Sequence, residues 1–242
     1  MTWLRSIVYF IFLAASTVGY ALQILIFAPW LSFESRSKIA NRWGSANLQA
    51  LKIICGLDYQ ITGLENLPAT NCIIMANHQS AWETLALRCI IPPAQTWILK
   101  RELLALPFFG WALQALQPIA IDRAAGSRAL RQVMVQGTEA LQQGRWVMLF
   151  PEGTRVALGT QQKYNIGGAM LAEKSGFPIL PIAHNAGVFW PRRGMSLRRG
   201  TVQVVIGPLI TTTGKKPGQI NNEVETWICD QVEKLLSSVA TS

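Results

Sequence analysis

The sequence predicts an α/β fold, a mostly parallel or mixed sheet flanked by helices, with an N-terminal hydrophobic membrane-anchoring helical segment. Three observations carry that expectation. Short β-rich runs alternate with helical patterns from position 59 onward. Residues 6–33 form 28 consecutive positions without a charged side chain. Charged residues make up 14% of the 242-residue chain and hydrophobic ones 50%, against about 25% charged in an ordinary soluble domain. That composition excludes disorder for most of the chain and argues against a purely water-facing protein.

The uncharged run comes first. It exceeds the about 20 residues that cross a bilayer and the about 7–15 of a signal peptide's apolar region, so it reads as a membrane anchor. Thr17, Gly19, Gln23 and Pro29 interrupt it, which leaves open a straight span or a helix bent within one leaflet. Arg36, Lys38, Arg42 and Lys52 follow and outnumber Glu34, so the positive-inside rule puts the rest of the chain on the cytoplasmic side of the inner membrane. The predicted division is an anchor over 1–33 and one domain over 34–242. Cys55, Cys72, Cys89 and Cys229 form no C-x-x-C pair, so neither a zinc site nor a disulfide framework is indicated. Reduced thiols suit the same compartment.

A helix is expected over 34–54, stopped by Gly56. Strands are expected over 59–62, 72–76, 96–99, 118–121, 146–150, 179–183 and 202–206. The uncharged stretch 103–121 contains Pro107, Gly110 and Pro118, so it reads as two short helical pieces leading into a strand rather than as a second span. Its Phe108, Phe109 and Trp111 suit either a membrane interface or core packing. Over 127–143, Leu130, Val133, Gly137 and Leu141 share one helical face, with Gly144 as the stop. In such sheets ligands bind beyond the carboxyl ends of the strands.

Two motifs fall at strand ends. The first is Asn77-His78-Gln79-Ser80-Ala81-Trp82-Glu83. On one continuous helix His78 and Glu83 would point about 140° apart, since each residue turns about 100°. If His78 lies in the turn before the helix and Glu83 in its first turn, the carboxylate can hold one imidazole nitrogen and leave the other as a base. Ser80-x-x-Glu83 is equally a capping box, and the two roles compete for one carboxylate. The second motif is Phe150-Pro151-Glu152-Gly153-Thr154-Arg155. Gly153 permits a tight turn, Thr154 supplies a hydroxyl, and Arg155 supplies a planar fork suited to phosphate. Glu152 would orient Arg155 or bond a substrate hydroxyl. Lys100-Arg101-Glu102 and Ile121-Asp122-Arg123 put further cations at strand ends, each readable alone as a surface charge cluster. His184 has no carboxylate within five residues and reads as structural.

Residues 174–222 carry Lys174, Arg192, Arg193, Arg198, Arg199, Lys215 and Lys216 with no acid, which is +7 of the net +9. Beside a lipid-embedded N-terminus, anionic headgroups or a phosphorylated substrate suit this tract better than nucleic acid, because aromatics do not interleave with it.

Taken in order, NHQSAWE, KREL, IDR and FPEGTR resemble the motifs of the glycerolipid acyltransferase family, and bacterial 1-acylglycerol-3-phosphate acyltransferases above all. PILPIAHNAG resembles the family's fourth block, and the likeness runs from about Tyr59 to Pro208. The family's first motif is commonly His-x4-Asp, and here the acid is Glu83, one methylene longer. The phenylalanine often found before IDR is replaced by Ala120-Ile121. The resemblance implies acyl transfer from an acyl-CoA or acyl carrier protein thioester to the sn-2 hydroxyl of lysophosphatidate. His78 would be the general base and Glu83 its partner, while Gly153, Thr154 and Arg155, with Lys100, Arg123 and Glu152, would form the substrate site. No enzyme nucleophile, metal or further cofactor is called for. Another lyso-lipid as acceptor, or a lipid-binding protein without activity, is the competing reading; a binder has no need of a base.

Overall fold

The computed structural model describes residues 2–240 apart from 93 and 161. All seven β-rich runs become strands: β1 (Leu57–Thr62), β2 (Ile73–Ala76), β3 (Gln95–Lys100), β4 (Ile119–Ile121), β5 (Trp146–Leu149), β6 (Ile179–His184) and β7 (Gly200–Ile206). They form one sheet in the order β1-β7-β6-β2-β5-β3-β4. Every pairing is parallel except β6 with β7, so the sheet is mixed as predicted. The central strands are buried on both faces, and this is why they read as continuous apolar runs.

Alternate residues feed two cores. Ile74, Ala76, Met148, Leu180 and Ile182 pack with Leu48 of α2 (Phe33–Ala50) and Leu85 of α3 (Trp82–Ile90). On the opposite face Ile73, Met75, Val147 and Ile179 meet Val133 of α5 (Ser127–Gln142), Leu171 of α6 (Gly167–Ser175) and Ile220 and Val224 of α8 (Pro217–Ala240). The expected helix 34–54 is α2 followed by a π-helical turn, Leu51–Cys55, which Gly56 ends at φ +68°. The stretch 103–121 holds the end of a 3₁₀ turn, α4 (Phe109–Ala115) and β4, as expected. Phe108 and Trp111 are exposed, whereas Phe109 packs on Trp43 at 6.3 Å. A short α7 (Ala186–Phe189) leads from β6 toward β7.

The N-terminal segment is one unbroken helix, α1 (Thr2–Phe27), which runs straight through Gly19. It is long and apolar enough to cross a membrane, and 11% of its most apolar 18-residue window is buried. Its inner side is nevertheless tied to the domain. Ser6 Oγ accepts the Leu197 N–H at 2.9 Å, Tyr9 sits edge-on to Trp190 at 5.7 Å, and Asn47 Nδ2 donates to Ser16 Oγ at 3.1 Å. α1 therefore folds back on α2 as a helical hairpin, with Ala21 and Ile24 packed against Ile39 and Ala40. The side that carries Trp3, Leu4, Ile11 and Ile26 is left bare, as a candidate membrane anchor requires.

Candidate active site

The site begins where β2 ends. Asn77 clamps β2 to β6: its Nδ2 donates to the His184 carbonyl at 2.9 Å and its Oδ1 accepts the His184 N–H at 2.9 Å. His184 is fully buried, its Nε2 lies 2.8 Å from the Asn77 carbonyl, and its Nδ1 faces the Ala186 N–H at 3.3 Å. One neutral tautomer, with the proton on Nε2, satisfies both bonds. Burial pushes its pKa down, so it serves as the structural histidine the sequence suggested.

That clamp holds His78 in the turn before α3, with Glu83 in the helix's first turn. Glu83 Oε1 lies 2.8 Å from His78 Nδ1 and also accepts the Gln79 and Ser80 N–H groups, at 2.8 and 2.7 Å. The expected competition between dyad and helix start is thus absent, because one oxygen does both. Ser80 Oγ accepts the Trp82 N–H at 3.1 Å. Burial raises the Glu83 pKa, but the hydrogen bonds from His78 and the Ser80 N–H help to hold the carboxyl below its ordinary range. An ionised Glu83 fixes the proton on His78 Nδ1 and leaves Nε2 as an acceptor. The ring is stacked on Phe150 at 4.0 Å with planes 9° apart, and 14% of the His78 side chain is exposed.

The loop after β5 closes the other side. Its Val156 N–H donates to the His78 carbonyl at 2.7 Å, which brings Arg155 beside the histidine turn. Gly153 adopts φ +73°, and a Cβ there would meet Asn165 Nδ2 at 2.9 Å, so this turn requires glycine. Thr154 Oγ1 accepts from Arg192 Nη2 at 3.5 Å. Glu152 departs from expectation. Its Oε1 accepts the His78 backbone N–H at 3.1 Å and is not bonded to Arg155, and the side chain is buried. Burial pushes its pKa up to about 7. Glu152 therefore positions the histidine turn from behind.

His78, Lys100, Arg123 and Arg155 line one cavity of about 280 Å³, whose remaining walls include Ile24, Trp43, Trp97, Leu99 and Leu113. Glu152, Gly153 and Thr154 do not line it. Lys100 also pairs with Glu102 at 3.1 Å, and Arg101 with Asp122 at 2.9 Å. Burial lowers the Arg123 pKa. Sequence reasoning missed Phe150 and Trp97 as walls, Asn77 as the clamp, and Arg88, a buried cation on the same cavity. A cation inside the apolar run Leu85 to Ile90 was the available signal for Arg88.

His78, Glu83, Arg88, Lys100, Arg123 and Arg155 all lie within the segment, residues 58–185, that matches the acyltransferase family model. The chain belongs to the acyltransferase family. Among proteins similar to it, the 1-acyl-sn-glycerol-3-phosphate acyltransferase of Pseudomonas aeruginosa is 40% identical over 96% of this chain and 91% of its own length. The protein of that name from Saccharomyces cerevisiae is 28% identical over 76% of this chain and 63% of its own length. The crystal structure of PlsC, the 1-acyl-sn-glycerophosphate acyltransferase of Thermotoga maritima, superposes with a TM-score of 0.78 at 25% identity, covering 97% of this chain and 95% of that one.

Proposed function

We propose that this family member is a 1-acyl-sn-glycerol-3-phosphate acyltransferase, which moves a fatty acyl group from an acyl-CoA or acyl carrier protein thioester to the sn-2 hydroxyl of lysophosphatidate and forms phosphatidate. The observation that carries this reading is the His78–Glu83 pair opening onto a cavity that also holds Lys100, Arg123, Arg155 and the buried Arg88 and has an apolar interior. The names of the similar Pseudomonas and yeast proteins support the same acceptor.

In this mechanism His78 Nε2 takes the proton of the sn-2 hydroxyl as its oxygen forms a bond to the thioester carbonyl carbon. The C–S bond then breaks, and the thiolate recovers the proton from the imidazolium. Glu83 stabilises that imidazolium through Nδ1. The substrate hydroxyl is itself the nucleophile, so no side chain is acylated. Arg155 grips the phosphate through its planar fork, Arg123 adds a second guanidinium and Lys100 a point charge, and Gly153 and Thr154 shape the loop that presents Arg155. The apolar walls take an acyl chain. The bare side of α1 holds the enzyme on the cytoplasmic face of the inner membrane, and the basic tract faces anionic headgroups or the acidic donor.

The test is a thiol-release assay of purified full-length protein against lyso-lipids with phosphate, phosphodiester and amine-bearing heads, each with both donor types. Turnover highest with lysophosphatidate supports the reading. Preference for a phosphodiester or amine-bearing lyso-lipid, or no thiol release from any pair, contradicts it.

A further inference from the structure

Arg88 is a buried cation that the reaction above does not use. It stands in the last turn of α3, 6% exposed, on the same cavity as His78. Among the described residues its guanidinium takes part in no hydrogen bond or ion pair, and its Nη1 is sealed from solvent without an acceptor. Nor does it cap its own helix, because Gln95 Nε2 already donates to the carbonyls of Leu87, Arg88 and Ile91. Its one directed contact is with the Trp97 ring, 5.8 Å from the guanidinium carbon. Burial lowers its pKa only to about 10, so it stays charged at neutral pH.

A charge without a partner in an apolar wall is costly, and a guanidinium can only donate. Whatever completes it must bring an oxygen acceptor. The place of Arg88 limits what that oxygen belongs to. A wall of rings leads from His78 to Phe150 at 4.0 Å, to Trp97 at a further 6.0 Å, and then to Arg88. The phosphate already has Lys100, Arg123 and Arg155, which are more exposed than Arg88. An acyl chain that leaves its carbonyl at His78 and follows the ring wall would pass the guanidinium.

We propose that Arg88 recognises an oxygen substituent, a hydroxyl or oxo group, on the acyl chain being transferred, so that the enzyme favours oxygenated over plain acyl donors. This rests on the acyl-transfer reading and adds the class of donor to it. An unsubstituted chain would leave the cation unpartnered in the complex, whereas a chain oxygen accepts one of its N–H groups.

Two measurements on the full-length protein in detergent test it. The first is competition between palmitoyl-CoA and its monohydroxy positional isomers for lysophosphatidate. The second is equilibrium binding of free palmitate and the same hydroxypalmitates, read from tryptophan fluorescence, which requires no turnover. At least one isomer should be favoured, and Arg88→Leu should reduce that preference ratio about tenfold or more, as expected for a charge-assisted bond. Arg88→Lys should keep part of it; if the leucine variant does not fold, the comparison of Arg88→Lys with Arg88→Gln carries the test. No preference for any isomer in either assay, a preference that survives Arg88→Leu, or discrimination on the lysophosphatidate chain in place of the thioester would overturn the proposal. Hydroxypalmitate preference in binding without thiol release would instead uphold Arg88 and reject the acyl-transfer reading.

Discussion

Glu83 Oε1 is bonded at once to His78 Nδ1 at 2.8 Å and to the backbone N–H groups of Gln79 and Ser80, so the carboxylate that orients the imidazole also holds the turn that leads into α3. The histidine's orientation is therefore tied to that of the turn before α3.

This double use separates charge from shape at position 83. Glu83→Gln keeps an oxygen for the three donors but cannot stabilise an imidazolium. Turnover should fall about 10²-fold or more, as when a general base is lost, while stability changes by less than about 3 kcal/mol. Glu83→Asp keeps the charge one methylene short and should retain measurable activity. Phosphatidate formation beside thermal melts reads both; near-normal turnover in Glu83→Gln would leave the residue a purely structural role.

Glu152 makes stability depend on pH. Its folded pKa, about 7, lies above the ordinary 4.5, so the folded state keeps a proton that the unfolded state releases. Its contribution is present below pH 4.5 and is lost as pH rises through about 7. The stability of the wild type relative to Glu152→Gln should fall by about 3 kcal/mol across that window, at 1.36 kcal/mol per pKa unit. His184 works oppositely, since its pKa is depressed by burial and stability is lost as pH falls below its ordinary 6.5. Subtracting the variant's melts from the wild type's isolates Glu152, and a flat difference would contradict its buried, protonated state.

Arg155→Ala should lower kcat/KM for lysophosphatidate roughly 10- to 150-fold, which is about 1.5–3 kcal/mol of charge-assisted bonding. Lys100→Ala should act the same way but less, because Lys100 is a point charge already shared with Glu102 at 3.1 Å. Steady-state kinetics against lysophosphatidate decide it, and an unaffected Arg155→Ala enzyme would remove the phosphate site from this loop.

Salt should not release the full-length protein from membranes, because burial of the bare α1 side is unscreened, whereas charge attraction fades within roughly 8–10 Å. Ile11→Lys, on an exposed mid-helix position of α1, should weaken retention, a lysine at a helix centre in lipid costing about 2.5–3.5 kcal/mol. Fractionation at low and high salt measures both. Full release of the unaltered protein by salt alone would refute the anchor.

Much of this was legible in the chain. Each of the seven strands announced itself as a β-rich run, and Gly56 and Gly144 both fall at positive φ where stops were expected. Local pattern cannot show the antiparallel seam between β6 and β7, because strand direction is set by the connection and the packing of the whole sheet. The same limit hid Glu152. Its motif places it next to Gly153 and near Arg155, but the tight turn sends its carboxylate back under His78, 74 positions earlier in the chain. Arg88 was hidden for a different reason: apolar periodicity marks a buried face and says nothing of a cation placed within it.

The central claim is that His78 Nε2 takes the proton of the acceptor hydroxyl. The most direct measurement is phosphatidate formation by purified His78→Ala beside the wild type, with melting and membrane fractionation confirming that both are folded and anchored. A loss of about 10²-fold or more in turnover with unchanged folding and membrane retention is predicted; near-normal turnover in the folded variant would contradict it.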